Sequence, residues 1–151
     1  MEHRTRVRAG MLVAAALAAD AAVHLYWTTG ALWPAREARA LSLAVLNFEV
    51  PFTPRVLLPL AALLTAASLT MAAGVGRLGR LGRAVPRPLL RLGTLAIAAG
   101  TLLRGVFGVA WALGNGTDTS TPFYWLNVFV YTPLCLALFT ATMIARRARP
   151  V

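Results

Sequence analysis

Three stretches of this sequence carry polar or ionisable side chains inside otherwise apolar runs, and each keeps a helical spacing. In the first, Asp20 is followed by His24 and Trp27 at i+4 and i+7, on one face of a helix. In the second, Arg104 shares a face with Phe107, Gly108 and Trp111. In the third, Tyr124, Asn127 and Tyr131 recur at i, i+3 and i+7. A further carboxylate, Glu49, stands between Asn47 and Pro51, just ahead of another apolar run. A carboxyl group stripped of water holds its proton more firmly and can act as a general acid. Aromatic faces stabilise a cation above them by up to about 2 kcal/mol each when dry. An acid that protonates an alkene or epoxide beside a π-lined cavity is what proton-initiated isoprenoid cyclisation requires.

The elements that must hold these groups are membrane spans. A crossing helix needs about 20 mostly apolar residues. Such stretches fall at 10–29, 54–75, 89–113 and 121–145. The hydrophobic fraction of 58% exceeds the roughly 45–50% of a soluble domain, and the mean hydropathy is +0.67. The 151 residues leave room for a single domain, residues 1–151. The expected fold is all-α, an integral membrane four-helix bundle. The opening Arg4, Arg6 and Arg8 ahead of an apolar run mimic a secretion signal, but Asp20 within the run and three later spans favour a retained helix. Arginines set the direction. They cluster at the N-terminus, in the 76–91 connector (Arg77, Arg80, Arg83, Arg87, Arg91) and at the C-terminus (Arg146, Arg147, Arg149). The opposite side holds Arg36, Arg39 and Arg55. The positive-inside bias therefore predicts a multi-pass plasma-membrane protein with both termini cytoplasmic. Between the first two spans, residues 30–53 include an apolar stretch, Leu41 to Leu46, that is too short to cross. It reads as an interfacial or re-entrant cap over the outer mouth of the bundle.

Composition excludes several functions. The net charge of +10 suggests nucleic acid only until the arginines are located, because they lie between spans and no soluble basic stretch interleaves with aromatics. Cys135 is the sole cysteine, so an intrachain disulfide and C-x-x-C chemistry are ruled out. With only His3 and His24, a histidine-rich metal site cannot form within one chain. No metal and no cofactor is expected. The sequence lacks a D-x-D-D motif and a D-D-x-x-D diphosphate site, which argues against magnesium-assisted diphosphate ionisation.

Depth ranks the candidates. At about 1.5 Å per residue, Asp20 lies roughly 15 Å into its span, near the midplane. Arg104 comes out about level with His24, and Tyr131 with Asp20. A charge at the centre of a span costs about 2.5–3.5 kcal/mol on insertion scales, so it should face a partner. Asp20 and Arg104 form the predicted pair. Pairing with a guanidinium would make Asp20 the poorer proton donor, and Glu49 the better one if the cap folds inward above Asp20 and His24. Plainer readings stand beside these. The Asp20–Arg104 pair would serve as a lock between helices, Glu49 as a solvated loop residue and His24 as a packing residue. Trp33 and Trp125 would belong to an interfacial belt, and Asp118 would be a turn residue.

The segments Ala19-Asp20-Ala21-Ala22-Val23-His24-Leu25-Tyr26-Trp27, Leu103-Arg104-Gly105 and Phe123-Tyr124-Trp125-Leu126-Asn127 resemble a group of small four-span bacterial membrane proteins of uncharacterised function. Size and layout also resemble the membrane-bound terpene cyclases of bacterial indole-sesquiterpenoid pathways, of the drimentine and xiamycin type. That resemblance implies a farnesyl-type hydrophobic substrate delivered by membrane lipid, with a membrane carboxyl group as proton donor, a role carried onto Asp20 and Glu49. His24 and Arg104 would orient the acid, and Trp27, Phe107, Trp111, Tyr124, Asn127 and Tyr131 would line the substrate's path. Two non-catalytic readings remain open. One is a transport or channel protein, which would need a homo-oligomer to enclose a pore. The other is a subunit binding a lipid or partner helix through Gly100, Gly105 and Gly108.

Overall fold

The computed structural model describes residues 2–146, and Arg147 and Arg149 of the basic C-terminus lie outside the described residues. The described chain is all-α. Four long apolar helices, His3–Thr28, Pro54–Gly74, Arg87–Ala112 and Pro122–Arg146, are each long enough to cross a membrane. They are packed as a bundle. The first belongs to α1 (Glu2–Thr28), which starts well before residue 10 because its arginines continue the helix beyond the apolar run. A short α2 (Ala38–Leu46) precedes the second long helix, α3 (Pro54–Gly74). A one-turn α4 (Gly79–Ala84) leads into the third, α5 (Arg87–Ala112). The fourth is built from α6 (Pro122–Leu126), a π-helical turn (Asn127–Tyr131) and α7 (Thr132–Arg146).

Cross-helix contacts fix the arrangement. Ser68 Oγ donates to the Ala14 carbonyl at 2.7 Å, while Trp27 and Leu57 share a cluster at the other end of the pair, so α1 and α3 run antiparallel. α5 and the fourth helix also run antiparallel, since Gly105 lies against Leu136 and the Ala112 carbonyl against Tyr124. α1 packs chiefly on α3 and α7, and α5 on α7 and α3, which leaves α1 and α5 on a diagonal.

The interior falls into two apolar clusters. One, at the end carrying the N-terminus, joins Val7, Val13, Ala14, Leu17, Met71, Ala72, Val75, Leu138 and Ala145. The other, at the opposite end, joins Trp27, Leu41 and Leu57, with Leu32, Val45 and Phe52 against them. The residue 30–53 segment therefore does cap the bundle, with Leu41 of α2 only 1% exposed. Ser42 locks the return of the chain: its hydroxyl donates to the Phe48 carbonyl at 2.8 Å and accepts the Val50 N–H at 2.7 Å. Past the first cluster, α1 carries Asp20 and His24, α5 carries Arg104, and the fourth helix carries Asn127 and Tyr131, which together make a polar layer. Outward faces carry large apolar side chains such as Leu63, Leu92, Leu103 and Phe129, 66%, 62%, 58% and 70% exposed, as lipid-facing surfaces require.

Candidate functional site

The fourth helix is widened where the polar layer crosses it, and the cause is local. Pro133 has no N–H, and its ring crowds the carbonyl four residues earlier. The preceding turn relaxes into a π bulge in which the Thr132 N–H reaches back to the Asn127 carbonyl. This turns Asn127 into the bundle, where it is fully buried. Its Oδ1 accepts from Arg104 Nη1 at 3.1 Å and from Thr132 Oγ1 at 3.1 Å, and its Nδ2 donates to the Gly108 carbonyl at 2.7 Å. Such a side chain reaches a facing helix backbone only if that helix has no side chain in the way. A Cβ on Gly108 would run into Thr132 Oγ1 and stand 3.1 Å from Asn127 Oδ1, and one on Gly105 would stand 2.7 Å from Leu136.

Arg104 is held by this clamp and by two rings. Its guanidinium carbon lies 5.1 Å from the Trp111 ring centroid and 5.5 Å from that of Tyr131. Phe123, 1% exposed, packs edge-on to Trp111 at 5.3 Å and lies 6.5 Å from Tyr131. Tyr131 also donates to the Ala44 carbonyl of α2 at 3.4 Å, which ties the cap to the layer. Cation–π contacts of this kind are worth about 0.5–2 kcal/mol each, comparable to the insertion cost of the charge.

The predicted Asp20–Arg104 ion pair is not formed. Asp20 pairs instead with His24 one turn away: Nδ1 lies 3.3 Å from Asp20 Oδ1 and donates to the Asp20 backbone carbonyl at 2.8 Å. The reason is geometric, because the two charges stand on diagonal helices, whereas an i,i+4 partner is always within reach. Among the described residues, no carboxylate makes an ion pair with Arg104. The two helices that carry Asp20 and Arg104 nevertheless both pack against α7. His24 is buried, with its ring edge-to-face with Trp27 at 5.2 Å, while the Asp20 side chain is 53% exposed.

Other sequence candidates take structural places. Trp27 sits in the capped cluster, with Nε1 donating to the Trp33 carbonyl at 3.0 Å and its ring 5.3 Å from Phe52. Tyr124 turns its hydroxyl onto the Ala112 carbonyl at the end of α5, at 3.2 Å. Phe107 is 57% exposed on the outside of α5. Glu49 does not fold inward over Asp20; it accepts from Arg39 Nε at 2.6 Å, with both side chains more than half exposed. Gly105 and Gly108 are used inside the chain against α7, whereas Gly100 meets nothing. Sequence spacing alone missed Thr132 and Phe123. Pro133 is the signal for the first, and Phe123 sits within an already noted aromatic run. A groove of about 560 Å³ between α1 and α3 is lined by apolar groups including Leu25, Leu58 and Leu69, and by none of the polar layer.

The fold and the polar layer together define a class: a multi-pass membrane helical bundle with a guanidinium and a carboxyl–imidazole pair held within its spans. Residues 17–142 match the family model described as a protein of unknown function (DUF3995), and the chain belongs to that family. The match runs from just before Asp20 to Thr142 and so contains the whole polar layer. No curated protein and no solved structure matches the chain.

Proposed function

We propose that this protein binds an amphiphilic isoprenoid lipid within its polar layer and starts its cyclisation by proton transfer from the Asp20–His24 pair. The observation that carries the reading is the Asp20–His24 pair on α1 and Arg104 on α5, two helices that both pack against the fourth, with Arg104 over the Tyr131 ring. A proton shared by the Asp20 carboxylate and the His24 imidazole would leave the pair neutral as a unit, with one proton to give. Arg104 has donors to spare beyond Asn127 and would orient an electron-rich oxygen or ring of the substrate. The proton adds to a terminal alkene carbon or epoxide oxygen, the resulting cation is captured by the next alkene, and a proton is lost at the end. The product is an isomer of the substrate. Glu49, engaged by Arg39 on the surface, is given no part in this scheme. The arginine bias supports an orientation with both termini cytoplasmic, so that the substrate enters from the outer half of the plasma membrane.

A second reading, lipid binding without chemistry, is favoured by one observation. Arg104 already covers the Trp111 and Tyr131 faces on which a substrate cation would rest. The two readings separate when membranes containing the protein are incubated with a farnesylated indole and with its terminal epoxide, followed by chromatography and mass spectrometry. Cyclisation yields a new isomer of unchanged mass that is absent with Asp20→Asn. Binding without chemistry yields protein-retained substrate and no isomer.

A further inference from the structure

The end of the bundle that carries the N-terminus holds a recess of about 280 Å³ lined by His3, Arg4, Val7, Arg8 and Arg77. Two segments build it. Arg4 and Arg8 stand one turn apart on α1, with Val7, 8% exposed, as an apolar floor between them. Arg77 comes from the turn after α3, where its N–H bonds to the Ala72 carbonyl at 2.9 Å. Gly10 packs directly against Val75, so α1 and α3 are held close at this end and the recess has firm walls. Among the described residues, no carboxylate pairs with Arg4, Arg8 or Arg77. The recess is thus a concentration of like charge that an anion would relieve. A topology signal explains why arginines gather at this end, but not why three of them converge on one recess from two segments. Arg80, Arg83 and Arg87 of the same connector lie outside it.

We propose that this recess binds the phosphate of an anionic glycerophospholipid from the adjoining leaflet. Guanidinium groups match phosphate oxygens by their planar donor geometry, and basic recesses between spans are suited to anionic head groups. The position favours a lipid over a free phosphate. The recess opens where the apolar run of α1 begins, and the next outward side chains, Met11 and Leu12, are 37% and 57% exposed and apolar, ready to lie along an acyl chain. Lipid binding at this recess is independent of proton transfer at Asp20.

The test uses the full chain in detergent, with bound lipid counted by native mass spectrometry and affinity followed as thermal stabilisation by added short-chain phosphatidylglycerol, phosphatidylcholine or inorganic phosphate. Phosphatidylglycerol binds and the other two do not. The triple variant Arg4→Gln/Arg8→Gln/Arg77→Gln weakens it about a hundredfold, at roughly fivefold per arginine. Arg80→Gln/Arg83→Gln/Arg87→Gln removes the same charge outside the recess and leaves affinity within about twofold, since distant charges are screened. Equal weakening by the two triples would overturn the site in favour of diffuse attraction. Equal binding of inorganic phosphate would overturn the lipid assignment. Should the first triple fail to fold, Arg77→Gln alone, in a turn, carries the test with a loss of about fivefold.

Discussion

Gly108→Ala is the sharpest probe of how the polar layer is built. The added Cβ would collide with Thr132 Oγ1 and stand 3.0 Å from Thr132 Cβ and 3.1 Å from Asn127 Oδ1. Overpacking of this kind costs about 1–3 kcal/mol. Moving Thr132 and Asn127 aside weakens the Thr132–Asn127 bond and the Asn127 bond to the Gly108 carbonyl, worth about 0.5–1.5 kcal/mol each. Alanine returns up to about 1 kcal/mol of helix propensity. The net expectation is a loss of about 2–4 kcal/mol. Gly100→Ala in the same helix meets nothing within 4 Å and should be neutral or stabilising by up to about 1 kcal/mol. Unfolding in mixed micelles with rising dodecyl sulfate, followed by helicity and tryptophan fluorescence, measures both. Because Thr132 is the obstacle, a Thr132→Ala background should absorb at least about 1 kcal/mol of the Gly108→Ala cost. A Gly108→Ala variant within about 0.5 kcal/mol of the parent, or one strictly additive with Thr132→Ala, would refute the clamp.

Three further outcomes follow from the same geometry. Asn127→Ala strips Arg104 of its side-chain acceptor and opens the fully buried centre, and should cost about 2–4 kcal/mol in the same assay; a change below about 1 kcal/mol would count against the network. Glu49→Gln removes an exposed ion pair with Arg39 and should shift stability by less than about 1 kcal/mol while leaving any conversion intact; lost conversion with an unchanged fold would return Glu49 to the mechanism. Asp118 accepts the Ser120 N–H at 2.8 Å, and this backbone hydrogen bond holds its carboxyl below the ordinary carboxylate value. A group depressed in the folded state contributes stability above its unfolded pKa and loses it as pH falls through the folded one. A carbon-13 NMR titration should find Asp118 low in the parent and back in the ordinary range in Ser120→Pro, which has no N–H to give; an unchanged titration would remove Ser120 as the cause.

The helices were readable because each long apolar run has a length that only a crossing or fully buried helix uses. The stripes Asp20–His24–Trp27 and Arg104–Gly108–Trp111 were readable because helical spacing fixes which side chains share a face. Partner choice was not. Counting depth along a helix gives height but not azimuth, so it matches Asp20 with Arg104 although α1 and α5 stand on a diagonal. The local His24 then took the carboxylate, and Asn127 took the guanidinium. The turn of Asn127 into the core depends on a π bulge that simple periodicity does not describe, with Pro133 as its trace in the sequence. Which of the two readings of Glu49 holds depends on Arg39, ten residues back in α2, and on the return of the chain that Ser42 fixes, and the solvated one is found.

Whether the Asp20–His24 pair gives a proton to an isoprenoid is decided by running the conversion of the farnesylated indole in deuterium oxide. A proton added to an alkene carbon becomes a carbon–deuterium bond that does not wash out. Proton transfer from the pair gives a cyclised product one mass unit heavier than that formed in ordinary water, and none with a folded Asp20→Asn variant. A product without retained deuterium, or labelled product formed equally well by Asp20→Asn, would contradict it.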